Sequence, residues 1–424
     1  MMMPIRPAEL CTREKAVSAP GTPDPKREAR IAAALLTGGS DRHYTFGLAM
    51  ALVSKGVWLD VIGSDEVDSP EMHTVESLTF LNLRGSHQSG VSFLKKVSRV
   101  LLFYARLIGY AWAAKPRIFH ILWNNKFQFF DRTLLMLYYK IQGKKIVLTA
   151  HNVNQAKRDH HDSLLNRLTL RIQYHLADHI FVHTEKMKDE LHEDYGVSEQ
   201  ATTVIPFGVN NAVPHTPLTC GEAKQRLGIS DGEKTILFFG NMRPSKGLEY
   251  LLAAFQQIVT RDAHYRLIIA GQRIRQFERH WADIQQTIRH FRNPELITLK
   301  IEFVPDDETE LYFKAADVLV LPYTEIFQSG VLFLGYSFGL PVIATAVGSF
   351  REDIIEGQTG FLCRPRDPVD LARTLEAYFE SDLFRSLNSR RKKIQDYVNA
   401  RHSWDVVAEM TRNVYAGLLG VNPS

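Results

Sequence analysis

Two cations stand in the turn of FFGNMRPSKGLEYLLAAFQ, residues 238–256. An apolar strand pattern breaks at Gly240, Arg243 and Lys246 follow, and an amphipathic helix begins. Arginine offers a planar fork to phosphate oxygens and lysine a compact point charge. A helix start adds free N–H groups and the positive end of the helix dipole. Together they suit a diphosphate. If it leaves a bound substrate, cations already in place stabilise the charge that grows on its oxygens, usually the largest single catalytic contribution. The plainer reading is two solvated loop charges.

Other residues invite the same weighing. His151 ends the apolar run VLTAH, where its ring would face a cleft. A neutral imidazole there can donate to a sugar hydroxyl or steady a charged transition state; a satisfied structural histidine is the alternative. Gly38 and Gly39 end the first strand pattern and would let a ligand approach the backbone, or simply make a turn. They are not a GxGxxG, so a nicotinamide fingerprint is missing. In LPYTEIFQSGVLFLGYSFGLPVIAT, residues 321–345, a polar loop holds Glu325, Gln328, Ser329 and Gly330, with Val331 next. The small Ser329-Gly330 pair would expose helix-start amides, and Glu325 would accept hydrogen bonds from sugar hydroxyls; an ordinary strand-to-helix turn is the alternative. Asp306 and Asp307 precede a helix and read as acids at its N-terminus rather than as metal ligands. His120 reads as core, and His160 and His161 as a solvated helix start.

The elements that position these residues alternate strand and helix. RIAAALLTGG, YTFGLAMALVSKG and VWLDVIGS form a first β-α-β unit. Strands follow at 117–122, 144–151, 179–184 and 202–208. Periodicity lapses over VNNAVPHTPLTCGEA, read as a linker, and restarts at KTILFFG, 265–271, 299–305, 317–323, 340–345 and TGFLCRP. The expected architecture is α/β, with two doubly wound Rossmann-like domains facing each other across a cleft. Ligands would bind outside the carboxyl ends of the strands. The expected division is a tail at 1–27, an acceptor domain at 28–210, a donor domain at 211–402, and a terminal helix at 403–424 that packs back on the first domain.

Bulk properties narrow the class. A chain of 424 residues exceeds a single core. Its 3 cysteines are scattered, which argues against a disulfide framework or zinc site and suits a reducing compartment. Residues 1–210 carry 26 Lys and Arg against 21 Asp and Glu; residues 211–424 carry 25 against 26. That excess is too weak for a nucleic-acid protein. No apolar run reaches transmembrane length, and the N-terminus lacks the apolar core of a signal peptide. The helix FLKKVSRVLLFYARLIGYAWAA, residues 93–114, is apolar with basic residues interspersed. Both a membrane-surface helix and a core helix with a solvated basic face fit it.

GNMRPSKGLEYLLAAF, LIIAGQ, AADVLVLPY, GLPVIATAVGSFREDI and GQTGFLCRPRDPVDLA together resemble the donor-binding half of nucleotide-sugar glycosyltransferases of the GT-B type, group 1 or family 4. Gly38-Gly39, VLTAHNV and ADHIFVHTEKMKDEL fit the amino half more loosely. The resemblance implies a hexosyltransferase that is retaining and metal-independent, needing no cofactor beyond a UDP- or GDP-sugar co-substrate. It implies Arg243 and Lys246 on the donor diphosphate, His151 beside the sugar, Phe303 and Val304 at the base, and amides of Ser329 to Val331 at phosphate and sugar. The acceptor would be a sugar or lipid-linked glycan of exopolysaccharide or envelope assembly, handled in the cytoplasm, at the inner membrane face for a lipid-linked one. The family's two glutamates, seven residues apart, fall on Ile326 and Leu334, with Glu325 one residue off. A non-catalytic partner subunit of the same fold and a nucleotide-sugar epimerase are the alternatives.

Overall fold

The computed structural model describes residues 30–39, 41–85, 93–158, 162–209, 213 and 215–421. The expected tail, His160 and His161, and part of the linker lie outside them. Among the described residues thirteen strands form two sheets, and every pairing between neighbours is parallel. The first sheet runs β3-β2-β1-β4-β5-β6-β7, with β1 Ala32–Leu36, β2 Trp58–Gly63, β3 Leu78–Asn82, β4 Ile118–Ile121, β5 Lys145–Thr149, β6 His179–Val182 and β7 Thr202–Val204. The second runs β10-β9-β8-β11-β12-β13, with β8 Lys234–Phe239, β9 Tyr265–Ala270, β10 Ile297–Lys300, β11 Val318–Leu321, β12 Val342–Thr345 and β13 Gly360–Cys363. Central strands are largely apolar, with His120 in β4 a buried exception, because helices cover both faces. In each sheet two adjacent strands are non-consecutive in the chain, β1 beside β4 and β8 beside β11. Crossovers leave in opposite directions there, opening a crevice at the strands' carboxyl ends.

Three expectations shift. The strand expected at 299–305 ends at Lys300: Gly271 N–H takes the Lys300 carbonyl, and the chain then leaves the sheet toward Pro305. The edge strand β3 has weak alternation and was not expected. The linker ends earlier than its composition suggests, because Thr219 and Glu222 close a capping box on the helix Cys220–Arg226.

From Ile31 onward the chain is one compact unit. The helix Trp404–Leu419 joins the core under the first sheet, where it packs along the helix Arg42–Ser54. The Tyr415 hydroxyl meets His120 Nδ1 at 2.6 Å, and Trp404 Nε1 donates to the Val209 carbonyl at 2.8 Å. The Trp404 ring fills the space above two glycines: a β-carbon would lie 2.1 Å from it at Gly47 and 2.4 Å at Gly208. Gly208→Ala is therefore expected to cost about 1–3 kcal/mol by overpacking, read as a lower thermal midpoint. A midpoint equal to wild type would show that the tryptophan yields freely.

Candidate active site

The turn after β8 is held by contacts that only glycine permits. Gly247 has φ +64, and a β-carbon there would lie 2.0 Å from the Pro322 carbonyl. Thr324 N–H donates to the Ser245 carbonyl at 3.0 Å, tying this turn to the loop after β11. Arg243 and Lys246 occupy the short 3-10 turn that precedes the helix Leu248–Val259. Neither makes an ion pair among the described residues. Arg243 Nε is buried without a partner, and Lys246 Nζ sits 3.6 Å above the Tyr323 ring. They line a cavity of 380 Å³ with Phe303, Val304, Glu325 and Val331. Asn241, Ser245, Gly271 and Gln272 complete it; sequence reasoning did not single them out, although GN and GQ end neighbouring strands.

The loop after β11 supplies more unmet polarity. Gln328 Oε1 and Ser329 Oγ are buried without partners beneath it, and buried polar atoms are seldom left so. Gly330 begins the helix Gly330–Ser337 and faces Phe207. Glu325 is 3.5 Å from Arg366. With Ile326 it also lines a larger cavity of 620 Å³, whose other wall is Asn154, Lys157, Lys186 and Glu190 from the amino half. Leu334, at the family's second glutamate position, is buried in the core.

On the amino side, Gly38 and Gly39 have φ +61 and +71. The Arg84 guanidinium holds the Gly38 carbonyl, and a β-carbon at Gly38 would meet Trp123 at 2.8 Å. Trp123 stacks on His151, with ring centres 4.3 Å apart and planes at 7°. His151 Nδ1 meets His183 Nε2 at 3.1 Å, and His183 Nδ1 meets the Ile205 carbonyl at 3.2 Å. This chain of bonds fixes the protons. A carbonyl only accepts, so His183 carries its proton on Nδ1 and accepts at Nε2 from His151 Nδ1–H. His151 Nε2, buried without a partner, is then a lone pair. The expected donor is an acceptor. His183 was missed, yet its signal was legible: His151 and His183 each follow one of two neighbouring parallel strands, β5 and β6.

Burial, then the neighbouring imidazoles, holds His151 well below its ordinary value. Burial, then the neighbouring His179, puts His120 at about 3, and burial leads in holding His183 at about 4. These groups fold neutral, so the unfolded chain binds more protons below pH 6.5, and stability falls with pH. Each contributes about 1.4 kcal/mol per pH unit between that ordinary value and its folded one. Acid unfolding is expected to steepen between pH 6.5 and 4; a flat midpoint across that window would refute the neutral cluster.

His151 also lines a polar cavity of 380 Å³ in the amino half. Arg132 reaches it from a π-helical turn, Asp131–Leu135, a local distortion often found at functional sites. Its partners are amides, Asn166 at 2.8 Å and Gln128 at 3.0 Å; its Nε is buried and unpartnered. No carboxylate among the described residues pairs with it. Asp306 and Asp307 take the first turn of the helix Asp306–Ala315, and Asp306 reaches His43 at 3.3 Å. Among the described residues no group of three or more histidine, cysteine or carboxylate side chains is placed to hold a metal ion.

Residues 37–213 match the model of glycosyltransferase family 4, and residues 233–381 that of the group 1 glycosyl transferases. The chain belongs to this glycosyltransferase family. Its fold is that of GT-B glycosyltransferases. This glycosyltransferase is similar to sucrose-phosphate synthase from Thermosynechococcus elongatus, with a TM-score of 0.71, 20% identity, and coverage of 92% of this chain and 100% of that one. It is similar also to Anabaena HepE in complex with UDP, at 0.69 and 14%, covering 92% and 100%. Among curated relatives, a glycosyltransferase of Methanocaldococcus jannaschii is 28% identical over 239 residues, 55% of this chain and 58% of its own. A D-inositol 3-phosphate glycosyltransferase of Geodermatophilus obscurus is 28% identical over 51% of this chain and 48% of its own. One of Corynebacterium diphtheriae is 23% identical over 98% and 95%. The chain thus spans about half the length of the first two and nearly all of the third.

Proposed function

We propose that this glycosyltransferase moves a hexose from a UDP- or GDP-sugar to an acceptor hydroxyl, with retention and without a metal. The observation that carries the reading is the convergence of Arg243 and Lys246, two cations without an anionic partner among the described residues, in one cavity beside buried polar atoms left unmet. The diphosphate lies on those two side chains, which take the place of a divalent ion. The exposed Phe303 ring and buried Val304 receive the base. His151 Nε2 accepts a hydrogen bond from a hydroxyl of the transferred sugar, and Glu325 and the amides of Ser329 to Val331 hold the sugar and phosphate. Gly38 and Gly39 let the donor approach from the amino side. The anomeric carbon–phosphate bond breaks through an oxocarbenium-like state, as in glycoside chemistry. The acceptor oxygen bonds that carbon on the same face, and its proton passes to the departing phosphate oxygen. Cleft closure excludes water.

The acceptor bears a phosphate. Arg132 supplies a half-buried cation that no carboxylate among the described residues pairs with, and several relatives are named for a phosphorylated inositol. A lipid-linked phosphate of envelope or exopolysaccharide assembly presents the same group. Arg132→Ala is expected to raise the acceptor KM by about tenfold with donor hydrolysis unchanged; an unchanged KM would remove Arg132 from the acceptor site.

The deciding experiment is donor hydrolysis across UDP-, GDP- and ADP-sugars without added metal. Cleavage of one donor establishes the reading and identifies base and sugar together. Silence with all, and no thermal shift by any nucleotide, would instead assign a non-catalytic partner of the same fold.

A further inference from the structure

Among the described residues eighteen large apolar side chains are exposed, and fourteen of them fall between Val97 and Ile172. They sit on three adjoining helical stretches: Phe93–Ala113, the run ending in Met136–Ile141, and Leu164–Leu176. The middle one joins the other two. Tyr138 donates to the Ile108 carbonyl at 3.1 Å, Phe127 stacks on Tyr104 at 5.5 Å, and Arg132 bonds Asn166. The inward side of the first helix is Phe103, Tyr104, Leu107 and Ala111; its outward side presents Leu101, Leu102 and Trp112, the last 73% exposed. Leu137 and Ile141 are likewise exposed on the middle stretch, and Leu164 and Leu168 on the third. Monomeric soluble surfaces seldom group apolar residues so.

Charge identifies the occupant. Residues 93–172 hold fifteen Lys and Arg against three Asp and no Glu, an excess of +12 in a chain whose net is +4. Of the three, Asp131 is buried. Arg106, Lys115, Lys126 and Arg171 are exposed and make no ion pair among the described residues. A second copy would bring the same positive field against itself, and a nucleic acid would not use the apolar tips. We infer that this three-helix face docks on an anionic lipid bilayer, with its leucines and Trp112 in the headgroup–acyl boundary and its cations on lipid phosphates. The gap between helix 93–113 and a spanning helix is consistent with this: no helix among the described residues is long and apolar enough to cross a membrane. Arg132, on the middle stretch, lines the polar cavity beside His151. The docking itself is independent of which donor is used.

The test is co-sedimentation of the full chain with phosphatidylcholine vesicles, with and without phosphatidylglycerol. Binding to the anionic vesicles, weakened by salt, and a blue shift of fluorescence that Trp112→Phe diminishes, are expected. Leu101→Glu/Leu137→Glu/Leu168→Glu, all at exposed positions, is expected to weaken binding at least about tenfold without moving the thermal midpoint. Arg106→Glu/Lys126→Glu is expected to lose the preference for the anionic vesicles. Failure of the wild type to sediment, equal binding by the triple variant, or a dimer that the triple variant dissolves while vesicles are ignored, would each overturn the inference.

Discussion

Replacing Arg243 and Lys246 together by alanine is expected to lower donor cleavage by at least about 10³-fold, while the fold persists. Removing one pre-placed donor to a developing oxyanion typically costs about 10²–10³ in rate. Here two cations face one leaving group. Neither is engaged in holding the fold: Arg243 Nε has no partner, and Lys246 rests on the Tyr323 ring without an ion pair among the described residues. Relieving that unpaired positive charge would leave the thermal midpoint unchanged or raise it. The variant therefore separates chemistry from stability. Because the cations act on the departing charge, the loss belongs in kcat more than in KM. Steady-state kinetics beside a melting curve decides. A variant that keeps its rate would place the diphosphate elsewhere.

The second large effect belongs to His151. His151→Phe preserves a ring to stack on Trp123 and deletes the Nε2 lone pair. A fall of about 10²-fold or more in transfer is expected, with the nucleotide still bound. His183→Leu acts at one remove. It removes the acceptor that holds His151 Nδ1–H, so the ring is free to put its proton on Nε2. A smaller loss is expected, with an altered acid limb of the pH profile because one of the repelling imidazoles has gone. If His183→Leu leaves both rate and profile unchanged, the bonded pair does not set the tautomer.

What the sequence disclosed follows from how local each signal is. Arg243 and Lys246 were legible because an apolar strand, a glycine and an amphipathic helix bracket them within one short segment. Gly38-Gly39 was legible for the same reason, although what fills the space beside it, Trp123, follows another strand, β4. The tautomer of His151 was not, since it depends on His183 and the Ile205 carbonyl, brought together only by sheet order. Arg132 was hidden by a helix pattern with no mark of its π-turn. The basic face was half visible: one helix announced it, but its area comes from three that meet only in space. The capping box at Thr219 was present in the letters and outweighed by the polar composition around it.

Trp404 and Tyr415 leave the ribosome long after Ile31, yet they finish a core that Ile31 begins. Domains usually fold in the order of their synthesis. Here the first sheet waits for a helix made after the second sheet: His120 has no Tyr415 hydroxyl, and the hollow over Gly47 and Gly208 stays unfilled, until residues 404–419 have been made. A nascent chain stalled before residue 404 would display that open apolar hollow to whatever chaperones attend the exit tunnel, and the emergence of that helix would be the event that seals it.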